Sequence, residues 1–328
     1  MKSKIDAILS RVEQRRVLCG HDILDLRREV FGDNYVAWNE ADRLFTINAM
    51  DIEKAAGWDE FFVAVMTAFL VRQSKPSGFV DQAAAEWFIE RAAPSGHIET
   101  STDLKVLQAV LTEARDATET FVDFALEQVK GAILHGHGQI GRNRSAKPKT
   151  LTRSDVEMIE KILYASGGDG HVAVSEKEAE MLFDINDACT PDDDTVETWQ
   201  SLFVNGITNS VMFCSVANTP NRSEVKRQQG WASARGDLNV AGSMNTLTPQ
   251  NVWDSFSGKD LKEQSQRYLI DQEIVARSER IDEGEALWLA RRIARDGILS
   301  VNERALLKHL GKMCPDIHPS LTPFIKAA

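Results

Sequence analysis

The stretch "EADRLFTINAM", Glu40 to Met50, returns 138 residues later as "EAEMLFDINDA", Glu178 to Ala188. Glu, Ala, Leu, Phe, Ile and Asn coincide. Apolar residues at three- and four-residue spacing run through both copies and much of the chain, whereas strand-type alternation is rare. That periodicity predicts an all-α protein. Downstream of each copy, "WDEFFV" (Trp58 to Val63) recurs as "WQSLFV" (Trp199 to Val204). The offset there is 141, and the three added residues fall in "CTPDDDTVET". A second match follows at a constant offset of 201, "VDQAAAEWFIERAAPSGHI" (Val80 to Ile98) against "IDEGEALWLARRIARDGIL" (Ile281 to Leu299). It aligns Asp81 with Asp282, Trp87 with Trp288, Arg91 with Arg292 and Gly96 with Gly297. Two different matches in the same order predict a tandem duplication.

The expected organisation is an N-terminal helical pair over 1–134, a basic glycine-rich linker over 135–150 and a C-terminal pair over 151–328. Each half is built of two segments, about 20–74 and 76–134, then 151–213 and 278–328. In each segment an amphipathic helix meets a short turn carrying one apolar residue (Val36, Ile98, Val174 or Leu299), and a second helix follows. Val36 and Ile98 are 62 residues apart, Val174 and Leu299 125. The surplus is an insert at about 215–277, whose Gly-, Ser-, Asn- and Thr-rich first part reads as a long loop.

The turns "GDGHVAVSEKEAEML" and "RDGILSVNERALL" resemble EF-hand proteins and, equally, TerB-like helical domains. The resemblance implies helical pairs with very short β contacts in the turns. An EF-hand loop places oxygen ligands at positions 1, 3, 5 and 12 around a Gly at 6. The corresponding residues here are Glu29, Phe31, Asp33 and Glu40; Arg91, Ala93, Ser95 and Thr102; Ala165, Gly167, Asp169 and Glu176; Arg292, Ala294, Asp296 and Glu303. No loop has a full ligand set and two begin with Arg. The surviving acids are therefore read as turn and capping residues, with no metal or cofactor assigned.

"HGHGQIGRNR", His135 to Arg144, formally matches the GxGxxG phosphate-binding pattern. That fingerprint belongs between a strand and a helix, but the preceding "FVDFALEQVKGAIL" has helical spacing. The glycines are read as a joint. Around them Arg142, Arg144, Lys147 and Lys149 form a basic run in a chain of formal net charge -11. With Arg222, Arg227 and Arg235 of the insert they are the candidate contacts for an anion or a partner. His135 and His137 stand at a spacing seen in metal sites, without nearby ligands in the sequence to complete a shell.

Hydrophobic residues make up 43% and charged residues 27% of the 328, a globular composition. The four scattered cysteines suit a reducing compartment. The N-terminus lacks the pattern of a secretory signal, and the apolar runs are too short to span a bilayer. No GxSxG, HExxH or GxxxxGK[ST] nucleophile or phosphate motif is present. The expected function is a non-enzymatic cytoplasmic interaction module that binds a protein partner. The alternatives are a divalent-cation (Ca²⁺) sensor and a binder of nucleic acid or a phosphate ligand through the basic linker and insert.

Overall fold

The computed structural model describes residues 4–32, 35–165, 174–213, 280–293, 295, 297–314 and 316–328. The insert, with Arg222, Arg227 and Arg235, lies outside the described residues, as do the turn around Gly170 and residues Asp33, Ala294 and Asp296.

Fourteen α-helices are described, with four two-residue strand pairs. The fold is all-α. After α1 (Lys4–Arg15), one order of elements recurs. The first module is β1 (Val17–Leu18), α2 (Gly20–Val30), α3 (Trp38–Ala49), β2 (Glu53–Lys54) and α4 (Trp58–Thr67), which runs into a π-turn at Ala68–Arg72. The second is β3 (Phe79–Val80), α5 (Gln82–Ala92), α6 (Ser101–Glu113), β4 (Asp116–Ala117) and α7 (Glu119–His135). A short α8 (Gly138–Asn143) follows. The third is β5 (Thr150–Leu151), α9 (Arg153–Ala165), α10 (Glu176–Ala188), β6 (Thr190–Pro191) and α11 (Val196–Phe213). The last described elements are β7 (Arg280–Ile281), α12 (Glu283–Ile293), α13 (Val301–Met313), β8 (Asp316–Ile317), a 3₁₀ turn at Pro319–Leu321 and α14 (Thr322–Ala327).

Each strand pair is parallel and joins the residues just before a helix pair to those just after it. The second residue of the leading strand is buried and apolar every time: Leu18, Val80, Leu151 and Ile281. Its carbonyl accepts from the chain leaving the second strand, namely from the N–H of Ala55 (2.9 Å), Thr118 (3.2 Å), Asp192 (3.0 Å) and His318 (3.2 Å). These clasps satisfy backbone groups that burial would otherwise leave unpaired.

The very short β contacts are thus present, but they close the open end of each helix pair rather than joining the turns. At the turns an amide side chain takes over. Gln73 accepts from the Val36 N–H at 2.9 Å and donates to the Val36 carbonyl at 2.7 Å. Gln128 accepts from the Ile98 N–H at 2.9 Å and donates to the Gly96 carbonyl at 3.0 Å. Asn209 accepts from the Val174 N–H at 2.8 Å. Each amide comes from the third helix of its module or the residue just after it, so that helix is locked against the turn.

The quoted stretch acquires a physical meaning in the core. Leu44, Phe45 and Ile47 are buried, as are Leu182, Phe183 and Ile185. Trp58 donates through Nε1 to the Asn48 amide oxygen at 2.9 Å, and Trp199 to Asn186 at 3.4 Å. Phe45 meets Phe62 edge-on at 5.0 Å; Phe183 meets Phe203 edge-on at 5.1 Å. Helix starts are capped by side chains: Asp81 accepts from Ala84 N–H, Thr100 from Asp103 N–H, and Ser300 and Glu303 form a reciprocal box.

The chain divides into two compact units, Met1–Val172 with Lys177–Phe203, and Ala173–Glu176 with Val204–Ala328. Residues 135–150, expected as a linker between halves, lie inside the first.

Candidate functional site

The glycine stretch has its backbone amides at residues 136, 137, 139 and 141 turned inward. Gly136 ends α7 in the left-handed conformation, φ 72°, which favours glycine. Its N–H donates to Ala132, and the His137 N–H to Gly131. The Gln139 N–H donates to the Ile98 carbonyl at 2.7 Å and the Gly141 N–H to His137 at 3.1 Å. At Gly138, φ 64°, a Cβ would stand 2.9 Å from the Ile98 carbonyl. A phosphate cradle needs outward-pointing amides; these point into the protein. The stretch is a tight turn onto α8, not a flexible joint.

The basic run is engaged in the same way. Arg144, expected to contact an anion or partner, has its side chain buried instead, 8% exposed. Its guanidinium forks onto Asp155 at 2.9 and 2.8 Å and donates to the carbonyls of Ala132 and Thr150. A charge can be buried only when paired this fully. Arg142 donates to Glu99 Oε2 at 2.6 Å and to the Glu99 carbonyl. Lys147 and Lys149 are exposed. Lys130, in α7, reaches Asp184 at 2.9 Å. Burial works against its charge, but Asp184 and Glu127 outweigh it and hold the ammonium above its ordinary range. In sequence these residues form a run of cations; the acids that meet most of them come from elsewhere in the chain.

Two acids of the EF-hand-like turns, Glu40 and Glu303, have local tasks. Glu40 accepts from the Ala37 N–H at 3.0 Å, and Glu303 from the Ser300 N–H at 2.7 Å. Thr102 donates to Asp59 at 2.9 Å. Among the described residues no group of three or more His, Cys, Asp or Glu is placed to hold a metal ion. Among them, too, no helix is long and apolar enough to cross a membrane.

What the sequence did not reveal is a groove in the first unit, about 700 Å³ in volume, bounded by α6 on one side and α9 on the other. Its floor is apolar: Leu104, Leu107 and Leu111 of α6, Val129 of α7, Ile140 of α8 and Ile162 of α9. Its rims carry Gln108 and Glu113 opposite Glu157 and Lys161, with half-exposed Met158 between. Lys161 donates to Thr112 at 2.6 Å across the gap. The size falls within the ~300–1,000 Å³ of ordinary ligand clefts. Each lining helix shows apolar spacing in the sequence, but nothing there says that α6 and α9, about 50 residues apart, leave space between them. The basic run borders this groove only through α8.

Of the described thiols, one is hydrogen-bonded and two are raised by burial. Cys19 donates to Asp22 at 3.0 Å. Burial pushes Cys189 up to about 11 and raises Cys314 as well, so neither is set up as a thiolate nucleophile.

No protein-family model, no curated protein and no solved structure matches this chain.

Proposed function

We propose that the protein is a non-enzymatic cytoplasmic interaction module and that the α6–α9 groove receives one amphipathic helix of a protein partner. The groove carries this reading. It offers an apolar floor between two helices with polar rims, the setting in which a helix lays down anchors at i, i+3/i+4 and i+7. The raised thiols of Cys189 and Cys314 favour binding over chemistry, and free Cys19, Cys189 and Cys314 fit a reducing compartment. An origin by tandem duplication of EF-hand-like or TerB-like pairs belongs to the same reading. It is supported by the matched Trp–Asn pairs, Trp58–Asn48 and Trp199–Asn186, and by the recurring clasps.

The test is selection from a displayed library of 20-residue amphipathic helices against the full chain. Binders with Kd values of about 1–10 μM are expected, weakened at least ~10-fold by Met158→Glu, which puts a charge on the groove wall. A library that yields no binder, or binders indifferent to Met158→Glu, would refute the groove as the site.

A further inference from the structure

His97, His135 and His137 come from three places, the turn after α5, the last residue of α7 and the start of α8, yet their rings gather. The His97 and His137 ring centroids are 4.8 Å apart, those of His135 and His137 5.0 Å. His135 and His137 are exposed and His97 half-buried. This ladder lies along the seam by which α8 is docked. Three successive residues of the turn each hold one residue at or beyond the start of α8. His97 meets His137, the Ile98 carbonyl accepts from the Gln139 N–H, and Glu99 takes Arg142. The close approach is possible because residue 138 is glycine. Between these contacts α8 presents Ile140, 7% exposed, to the groove floor.

We propose that this histidine ladder is a proton-sensitive latch on α8 that sets the shape of the groove floor; its consequence for binding rests on the groove being the partner site. Here the rings are tilted by 52° and 33°, an arrangement open to neutral imidazoles. Acidification protonates imidazoles, and two imidazolium rings about 5 Å apart repel. The neighbouring charges do not compensate. On the turn, Glu99 is held by Arg142; on α7, Glu127 and its neighbour Lys130 pair, and Lys130 also holds Asp184. Beyond α8, Arg144 occupies Asp155, and Lys147 and Lys149 add further positive charge. Glu99 and Asp155 are each spent on an arginine, Glu127 and Asp184 share Lys130, and Lys147 and Lys149 outnumber that one excess acid, so acidification loads like charge onto the seam and loosens α8. Ile140 moves with it.

The experiment is methyl NMR on the full chain with labelled isoleucines, Ile140 being assigned with Ile140→Val. From pH 7.5 to 5.5 the Ile140 methyl is expected to shift together with the ladder's ring protons, while Ile47, buried in α3, stays fixed. In the double variant His97→Gln/His137→Gln the Ile140 shift should be lost. An Ile140 signal that stays still while the rings protonate, or that moves equally in the double variant, overturns the latch. A binding arm uses any peptide selected on the groove: its affinity should fall about 3–10-fold at pH 5.5 in the native chain, a range set by two exposed like charges, and stay level in the double variant. If no peptide binds yet Ile140 responds as expected, the latch stands and the groove reading alone fails.

Discussion

At the scale of single residues, the chain's recurring letters turn out to be contacts. Asn48, set among apolar neighbours in the quoted stretch, is buried because Trp58 supplies its partner, and Asn48 in turn donates to Asp103 at 2.9 Å. The recurrence was legible; the bond was not, because the indole lies ten residues on in sequence. Arg144 is the opposite case. Its positive neighbours made it look like a surface contact, and only the fold brings Asp155 and two carbonyls to it. Replacing Arg144 with Met would leave a buried carboxylate held by Thr152 alone. That is expected to cost about 3–5 kcal/mol in urea-induced unfolding, and Arg144→Lys should recover only part of it, since an ammonium cannot fork onto both oxygens. A loss under 1 kcal/mol would mean that the pair contributes little. Asp22 in the first module parallels Asp155. Burial alone would raise its carboxyl, but the Cys19 thiol and amide, with Arg11 and Arg15, outweigh that and hold it below the usual range.

At the scale of elements, helix periodicity was written clearly enough to place the two helices of each segment, because a 3.6-residue repeat accumulates signal over 10 or more positions. The clasps were invisible for the same reason: two residues carry no period. The turns were misread in one respect. Val36, Ile98 and Val174 were recognised as special, and all are buried, but their backbone groups are met by amides rather than by one another. Gln128→Leu is therefore expected to strand the Ile98 N–H and the Gly96 carbonyl. The cost should be about 1–3 kcal/mol, with faster hydrogen exchange at the Ile98 amide. If that amide exchanges no faster, the side chain is not what protects it. The groove was legible as helices and illegible as space, since sequence spacing reports which face of a helix is buried and not how far apart two helices stand.

At the scale of the molecule, two compact units follow from the division of contacts, and each contains its own clasps. Disrupting one should stay local. Ile281→Asp, in the second unit, places an unpaired charge in an apolar site and is expected to destabilise that unit by about 3 kcal/mol. Hydrogen exchange should then rise in α12 and α13 and remain unchanged in α5 and α6; a uniform rise across both would show that the units unfold as one. The sequence expectation put the boundary at 135–150 because glycine and positive charge cluster there. A glycine that ends a helix and a glycine that frees a joint look alike on paper.

The clasps have a further consequence. Each brings the two ends of a helix pair to within one strand spacing, about 4.8 Å. A cassette whose ends already meet can be copied, lengthened or spliced out while its neighbours keep their path, so the chain can grow the way beads are added to a string.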